Sequence, residues 1–175
     1  MSENKVESEN KVEPWLRGTL FEVDAVRRGV LHALELAAED IARWGDPLNG
    51  DEFELRPMGL PSVGFQIRHI ARSLDRLLTY AEGQQLSDRQ LKALKSEEKF
   101  VDRETTLMEF AEAIEVSGKR VLLFSPAQYD EARPVGRKKL PTSLGGLLVH
   151  IADHTQRHVG QAITTAKVVM ALWSK

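Results

Sequence analysis

Four stretches of the sequence carry apolar residues at three- and four-residue steps, and no stretch shows the sustained alternation that a half-buried strand requires. In the first, Leu16, Leu20, Val23, Val30, Leu34, Ala37, Ile41 and Trp44 share one face, while Arg28, His32, Glu35 and Glu39 share the opposite one. It breaks at Gly45-Asp46-Pro47 and again at Asn49-Gly50-Asp51. The second has Ser62 as a cap, a stripe through Val63, Ile67, Ile70, Leu74, Leu77, Leu78 and Ala81, and Gly83 as a stop. The third opens at Thr106, with Glu109 at capping-box spacing, and continues through Leu107, Phe110, Ile114, Val121 and Phe124 to Ser125-Pro126. The fourth starts after Pro141, capped by Thr142 or Ser143, and extends towards Trp173. The pattern predicts helices near residues 15–44, 62–82, 105–124 and 142–173. Amphipathic helices in this number bury their stripes against one another, so the expected fold class is all-α, a four-helix bundle.

Composition narrows the chemistry. The 175 residues suit one domain, and 42% hydrophobic with 29% charged residues is ordinary for a soluble globular chain. There is no cysteine, which removes disulfides, thiolate zinc sites, iron–sulfur clusters and cysteine nucleophiles together. A net charge of −2 argues against a nucleic-acid partner. No apolar run is long enough to span a bilayer, and the first residues lack the basic-then-apolar order of a secretory signal. A cytoplasmic protein acting on a small-molecule substrate is expected, with no membrane partner. The hexapeptide SENKVE occurs twice in residues 2–13; this polar, acidic repeat predicts a disordered tail over residues 1–13, leaving 14–175 as a single domain. The connections at 84–103 and 126–141 exceed the roughly 2–8 residues usual between bundle helices. The first has room for a short helix at 87–95. The second carries Arg133, Arg137, Lys138 and Lys139, which could orient an anionic cosubstrate, although a solvated loop is the commoner role.

The histidines carry the chemical signal. At about 100° per residue, His154 and His158 fall within the stripe of Leu147, Ile151, Ala162 and Val169 and point into the bundle. One helical turn apart, they can reach a single metal ion at about 2.0–2.1 Å. The alternative is a pair of core histidines satisfied by a neighbouring helix. Burying both with neither metal nor hydrogen-bond partner would be costly. His69 lies off the Ile67–Ile70–Leu74 stripe, on the side of Phe65, Ser73 and Tyr80, so it faces either a polar cleft or solvent. His150 sits one turn before His154 on the flank of its stripe, and His32 shares the charged face of the first helix, where a solvated position is expected. Glu-x-x-His pairs and His-Glu-x-x-His are absent, and His150-Ile-Ala-Asp-His154 matches an inverted zincin only with Asp for Glu.

The segment Phe53-Glu-Leu-Arg-Pro-Met-Gly-Leu-Pro-Ser-Val-Gly-Phe-Gln-Ile-Arg-His69-Ile-Ala resembles the second-helix motif of the DinB/YfiT-like superfamily. His150-Ile-Ala-Asp-His154-Thr-Gln-Arg-His158-Val-Gly-Gln161 resembles its fourth-helix motif, and the similarity runs from about Pro14 to the end of the chain. The resemblance implies an up-up-down-down bundle with a long crossover, a homodimer, and a three-histidine site for a divalent metal ion, zinc or nickel. It assigns His69, His154 and His158 as ligands and leaves His150 beside them. Family members with assigned activity are mostly metal-dependent thiol transferases using bacillithiol or mycothiol, with one mycothiol-dependent maleylpyruvate isomerase. The function implied is transfer of a low-molecular-weight thiol cosubstrate to an electrophile. The alternatives are a metal-dependent hydrolase and a non-catalytic metal-binding stress-response bundle. Three imidazoles leave an ion's charge uncompensated and a coordination position open, as catalytic sites do.

Overall fold

The computed structural model describes residues 12–173. Of the segment expected to be a disordered tail, residues 1–11 lie outside the described residues. Each well-formed helix start has a side chain that caps it. Asp24 accepts from the amides of Val26 and Arg27 and opens α1, Ala25–Gly45. Asn49 and Glu52 form a capping box on the short α2, Gly50–Glu54. Ser62 accepts from Phe65 N at 3.0 Å and opens α3, Val63–Ala81. A second capping box, Ser87 with Gln90, opens α4, Asp88–Lys95, where the sequence left room for it. Asp102 caps α5, Arg103–Leu122, one turn ahead of the expected cap. Thr106 instead lies buried inside that helix, where its hydroxyl accepts from Arg68 Nη1 at 3.4 Å. The last helix, α6, spans Leu144–Trp173. Among the described residues there is no strand, only two isolated bridges, Ala132 with Ser143 and Val135 with Leu140. No helix among them is long and apolar enough to cross a membrane.

The first helix begins later than its apolar period predicts. Gly18 and Leu20 both adopt left-handed backbone (φ 67° and 59°), which interrupts a helix before the Asp24 cap restarts it. Residues 14–24 therefore form a strap, anchored by Arg17 on Glu35 (2.6 Å) and Glu39 (2.7 Å). This corrects the expectation for His32. His32 does share its helical face with Glu35 and Glu39, but the strap covers that face. Thr19 Oγ1 lies 3.1 Å from His32 Nε2, and the residue is only 7% exposed.

Four helices pack in the ring α1–α6–α3–α5, with α1 and α3 on one diagonal. Their core includes Leu34 and Ile41 of α1, Ile70 and Leu74 of α3, Phe110 of α5 and Ile151 of α6. Side-chain pairs fix the directions. Arg27, at the start of α1, donates to the carbonyls of Leu122 and Phe124 at the end of α5, so these run antiparallel. Arg72 pairs with Glu109 and, further along both helices, Glu82 with Arg120, so α3 and α5 run parallel. Gln66 meets His158 and Ser73 meets His154, so α3 and α6 are antiparallel. Gln156 donates to the Ala33 carbonyl and Lys167 lies over Trp44, so α1 and α6 are parallel. The order is up-down-down-up, which corrects the up-up-down-down expectation. The reason is local: residues 46–62 only turn the chain back at the end where α1 stops, leaving no path for a parallel α3. The long crossover falls instead between parallel α3 and α5, where residues 82–102 must travel the length of the bundle.

Candidate metal centre

Thirteen of the nineteen residues of α3 are buried, among them Gln66, Arg68, Ser73 and Arg76. Buried polar groups need partners, and on α3 these partners build the centre. The wheel left His69 between cleft and solvent. It occupies the cleft facing α6, with its side chain 19% exposed. His154 and His158 reach the same cleft from α6, both half-buried. One ring nitrogen from each of the three histidines lies within 4.8 Å of the others. The ring centroids are 5.1 Å (His69–His154), 4.3 Å (His69–His158) and 4.5 Å (His154–His158) apart.

The hydrogen bonds decide which nitrogens face inward. His69 Nδ1 is 2.8 Å from Glu97 Oε2, and a carboxylate only accepts, so Nδ1 carries the proton. His158 Nδ1 donates to Gln66 Oε1 at 2.7 Å. The Ser73 hydroxyl gives its proton to the Ile70 carbonyl, so at 3.4 Å it accepts from His154 Nδ1. All three Nδ1 atoms are thereby engaged, which leaves the Nε2 side of each ring for the cleft. Two nitrogens bound at about 2.0–2.1 Å to one tetrahedral ion sit about 3.3 Å apart; His69 Nε2 and His154 Nε2 are 3.4 Å apart. The donor set fits a divalent cation that takes imidazole, with the second-row partners that metal-bound histidines characteristically have.

Electrostatics point the same way. Burial first, then the neighbouring rings, lower His154 to about 4. Burial and the His69 ring lower His158 to about 4. Both are therefore neutral at pH 7. Burial pushes the Glu97 carboxyl up, but hydrogen bonds from His69 and Arg76 outweigh it and hold the group below its ordinary value. An unfolded histidine titrates near 6.5, so between about 6.5 and 4 the metal-free folded chain binds fewer protons than the unfolded one. Stability is thus present in full above pH 6.5 and is lost as the pH falls towards 4. The unfolding midpoint of chelator-treated protein is expected to drop across that window, and less so in the His154→Ala/His158→Ala double variant. A midpoint with equal pH dependence in both proteins would contradict the assignment.

His150 lies outside the trio. Its ring sits 5.4 Å from that of His154, its side chain is 45% exposed, and its Nδ1 is 3.9 Å from Asp153. His32 is on another face of the bundle, against the strap. Two contributors escaped the sequence reading. Gln66 lies four residues before Ile70 and three after Val63, so a polar residue at core register was its signal. Glu97 had none, because it sits in a charged connection and reaches the site only through the fold. A family model described as DinB superfamily matches residues 22–162, most of the chain. The chain belongs to the DinB superfamily. Comparison with curated proteins and with solved structures returns no match. In this DinB-superfamily bundle the two histidine-bearing segments that carried the resemblance are the two that face each other across the cleft.

A cavity of about 320 Å³ is lined by Leu60, Pro61, Gln66, Arg157, Gln161 and Thr164 among others; it shares Gln66 with the centre, on the Nδ1 side of His158, and none of the three histidines lines it. Gly160 forms part of its wall, and a Cβ there would meet nothing within 4 Å.

Proposed function

We propose that this DinB-superfamily protein is a divalent-metal-dependent enzyme, with His69, His154 and His158 as the ligands of zinc or nickel, and that it transfers a small-molecule thiol to an electrophile. The observation that carries the reading is the convergence of one ring nitrogen from each of three histidines within 4.8 Å. A divalent ion held there supplies Lewis acidity, lowering the pKa of a bound thiol or water. Gln66 belongs to both parts, because its Oε1 orients His158 while its side chain forms the cavity wall. Arg157, half-exposed and paired with Asp153, sits at the cavity rim, where it can meet an anionic group on the cosubstrate.

Two features favour thiol transfer over hydrolysis. The chain has no cysteine, so a sulfur nucleophile must arrive as a cosubstrate. Hydrolysis gains from a general base beside the water, and the nearest carboxylate, Glu97, is already engaged by His69 and Arg76. A thiol ionises more readily than water and needs less help. Metal-replete protein is expected to consume bacillithiol, mycothiol or glutathione in the presence of chloro-aromatic, epoxide or maleylpyruvate acceptors, with turnover abolished in His158→Ala. Ester or amide hydrolysis without thiol dependence would replace this reading with the hydrolase one.

A further inference from the structure

The crossover of residues 82–102 is anchored in an unusual way. Helix α4 buries none of its residues, and across the whole crossover Glu97 alone is buried, at 5% exposure. A connection would ordinarily dock through an apolar side chain, because burying a carboxylate costs free energy that its partners must recover. The partners come from one face of α3. Arg68, Arg72 and Arg76 recur at four-residue steps. Arg68 donates to the Glu97 carbonyl at 3.5 Å, Arg72 to the Ala93 carbonyl at 3.4 Å, and Arg76 to Glu97 Oε1. The other carboxylate oxygen, Oε2, takes the proton of His69 Nδ1 at 2.8 Å. One buried side chain thus joins the crossover, the arginine row and a histidine of the trio.

We propose that Glu97 is a positioning residue of the metal centre, and that through it the crossover docks more tightly on α3 when the centre is filled. The inference rests on the metal reading above and adds the partner that tunes it. Accepting from Nδ1 locks His69 in the tautomer whose Nε2 lone pair faces the cleft, and the negative charge makes that nitrogen a better donor to a cation. Arg76 fixes the second carboxylate oxygen. Linkage requires reciprocity: by whatever factor the docked crossover raises metal affinity, metal raises the stability of the docked crossover. The other two histidines lean on neutral partners, Gln66 and Ser73, so His69 is the ligand with a charge behind it.

The test compares wild type, Glu97→Ala and an Arg76→Met/Glu97→Leu double variant, which replaces the ion pair with apolar side chains in case the single change leaves Arg76 unpaired and the chain unfolded. Glu115→Ala, which breaks the exposed pair with Lys119 on α5 and touches neither the crossover nor a histidine, is the control. Zinc affinity, measured by chelator competition, is expected to fall about 10–100-fold in the Glu97 variants and to stay unchanged in the control. Imidazole ¹⁵N shifts in metal-free protein should show His69 protonated at Nδ1 in wild type and as a tautomer mixture in the variants. Hydrogen exchange over residues 96–102 should slow on zinc addition in wild type only. Folded variants with wild-type affinity and an unchanged His69 tautomer would reduce Glu97 to a salt-bridge partner and overturn the proposal. If wild type takes up no zinc, the metal reading fails. The tautomer measurement then still decides whether Glu97 sets the state of His69.

Discussion

Replacing His154 or His158 by alanine is expected to strip the protein of metal during dialysis, while its helical circular dichroism stays close to that of wild type. Each residue supplies one of three imidazole nitrogens within 4.8 Å of the others, and both rings are only half-buried, so the fold tolerates their loss. Groups standing behind a ligand are worth about 10–100-fold in affinity, and a ligand itself is worth more, so the loss should exceed two orders of magnitude. His69→Ala should behave alike and also free Glu97. His150→Ala and His32→Ala should leave metal content intact, the first because its ring lies at the rim and the second because it faces the strap. Elemental analysis after dialysis, paired with chelator titration, reads all five variants. Full metal retention in His154→Ala or His158→Ala would remove the basis of the assignment.

The largest loss of stability is expected at a glycine. Gly64 lies in the first turn of α3, and a Cβ there would come within 2.0 Å of Glu54 Oε1 and 2.9 Å of Phe53 Cδ1. Glu54 is not free to withdraw, because it holds Arg68, whose side chain is 1% exposed, and accepts from Ser62 Oγ at 3.2 Å. Gly64→Ala must therefore either displace α2 or pull the carboxylate away from a buried guanidinium. Breaking one partner out of a buried pair costs about 3–5 kcal/mol, which for a chain of this size lowers Tm by roughly 10 °C. Arg68→Ala should cost a comparable amount by removing the other partner. Because Ser62 caps α3, the same network sets where that helix begins and so where His69 sits. Both variants are expected to bind metal more weakly as well as to melt earlier. A Gly64→Ala protein that melts with wild type would show that α2 yields without strain.

The features legible in the sequence were those that repeat along one element. The apolar periods located α3, α5 and α6 to within a few residues, and the spacing of His154 and His158 placed both rings in one cleft. What failed depended on another element arriving from elsewhere. His32 was read from its own helix, whereas its burial comes from Thr19 in the strap. The start of α1 was missed because apolar residues in the strap continue the helical period across two left-handed residues. Helix direction was taken from the resemblance, and only cross-helix pairs such as Gln156 with the Ala33 carbonyl reveal it. Arg68, Arg72 and Arg76 recur at four-residue steps on α3, and the sequence alone does not say that acids meet them. Which acids answer, Glu54, Glu109 and Glu97, only the fold determines.

If His69, His154 and His158 hold one divalent ion, a coordination position is left for a cosubstrate. X-ray absorption on zinc-loaded protein measures this directly. Three imidazole nitrogens at about 2.0–2.1 Å with a further exchangeable light atom are expected, and a sulfur neighbour at about 2.3 Å on adding the thiol. Fewer than three imidazoles around the ion, or a shell saturated by protein ligands and unchanged by any thiol, would contradict it.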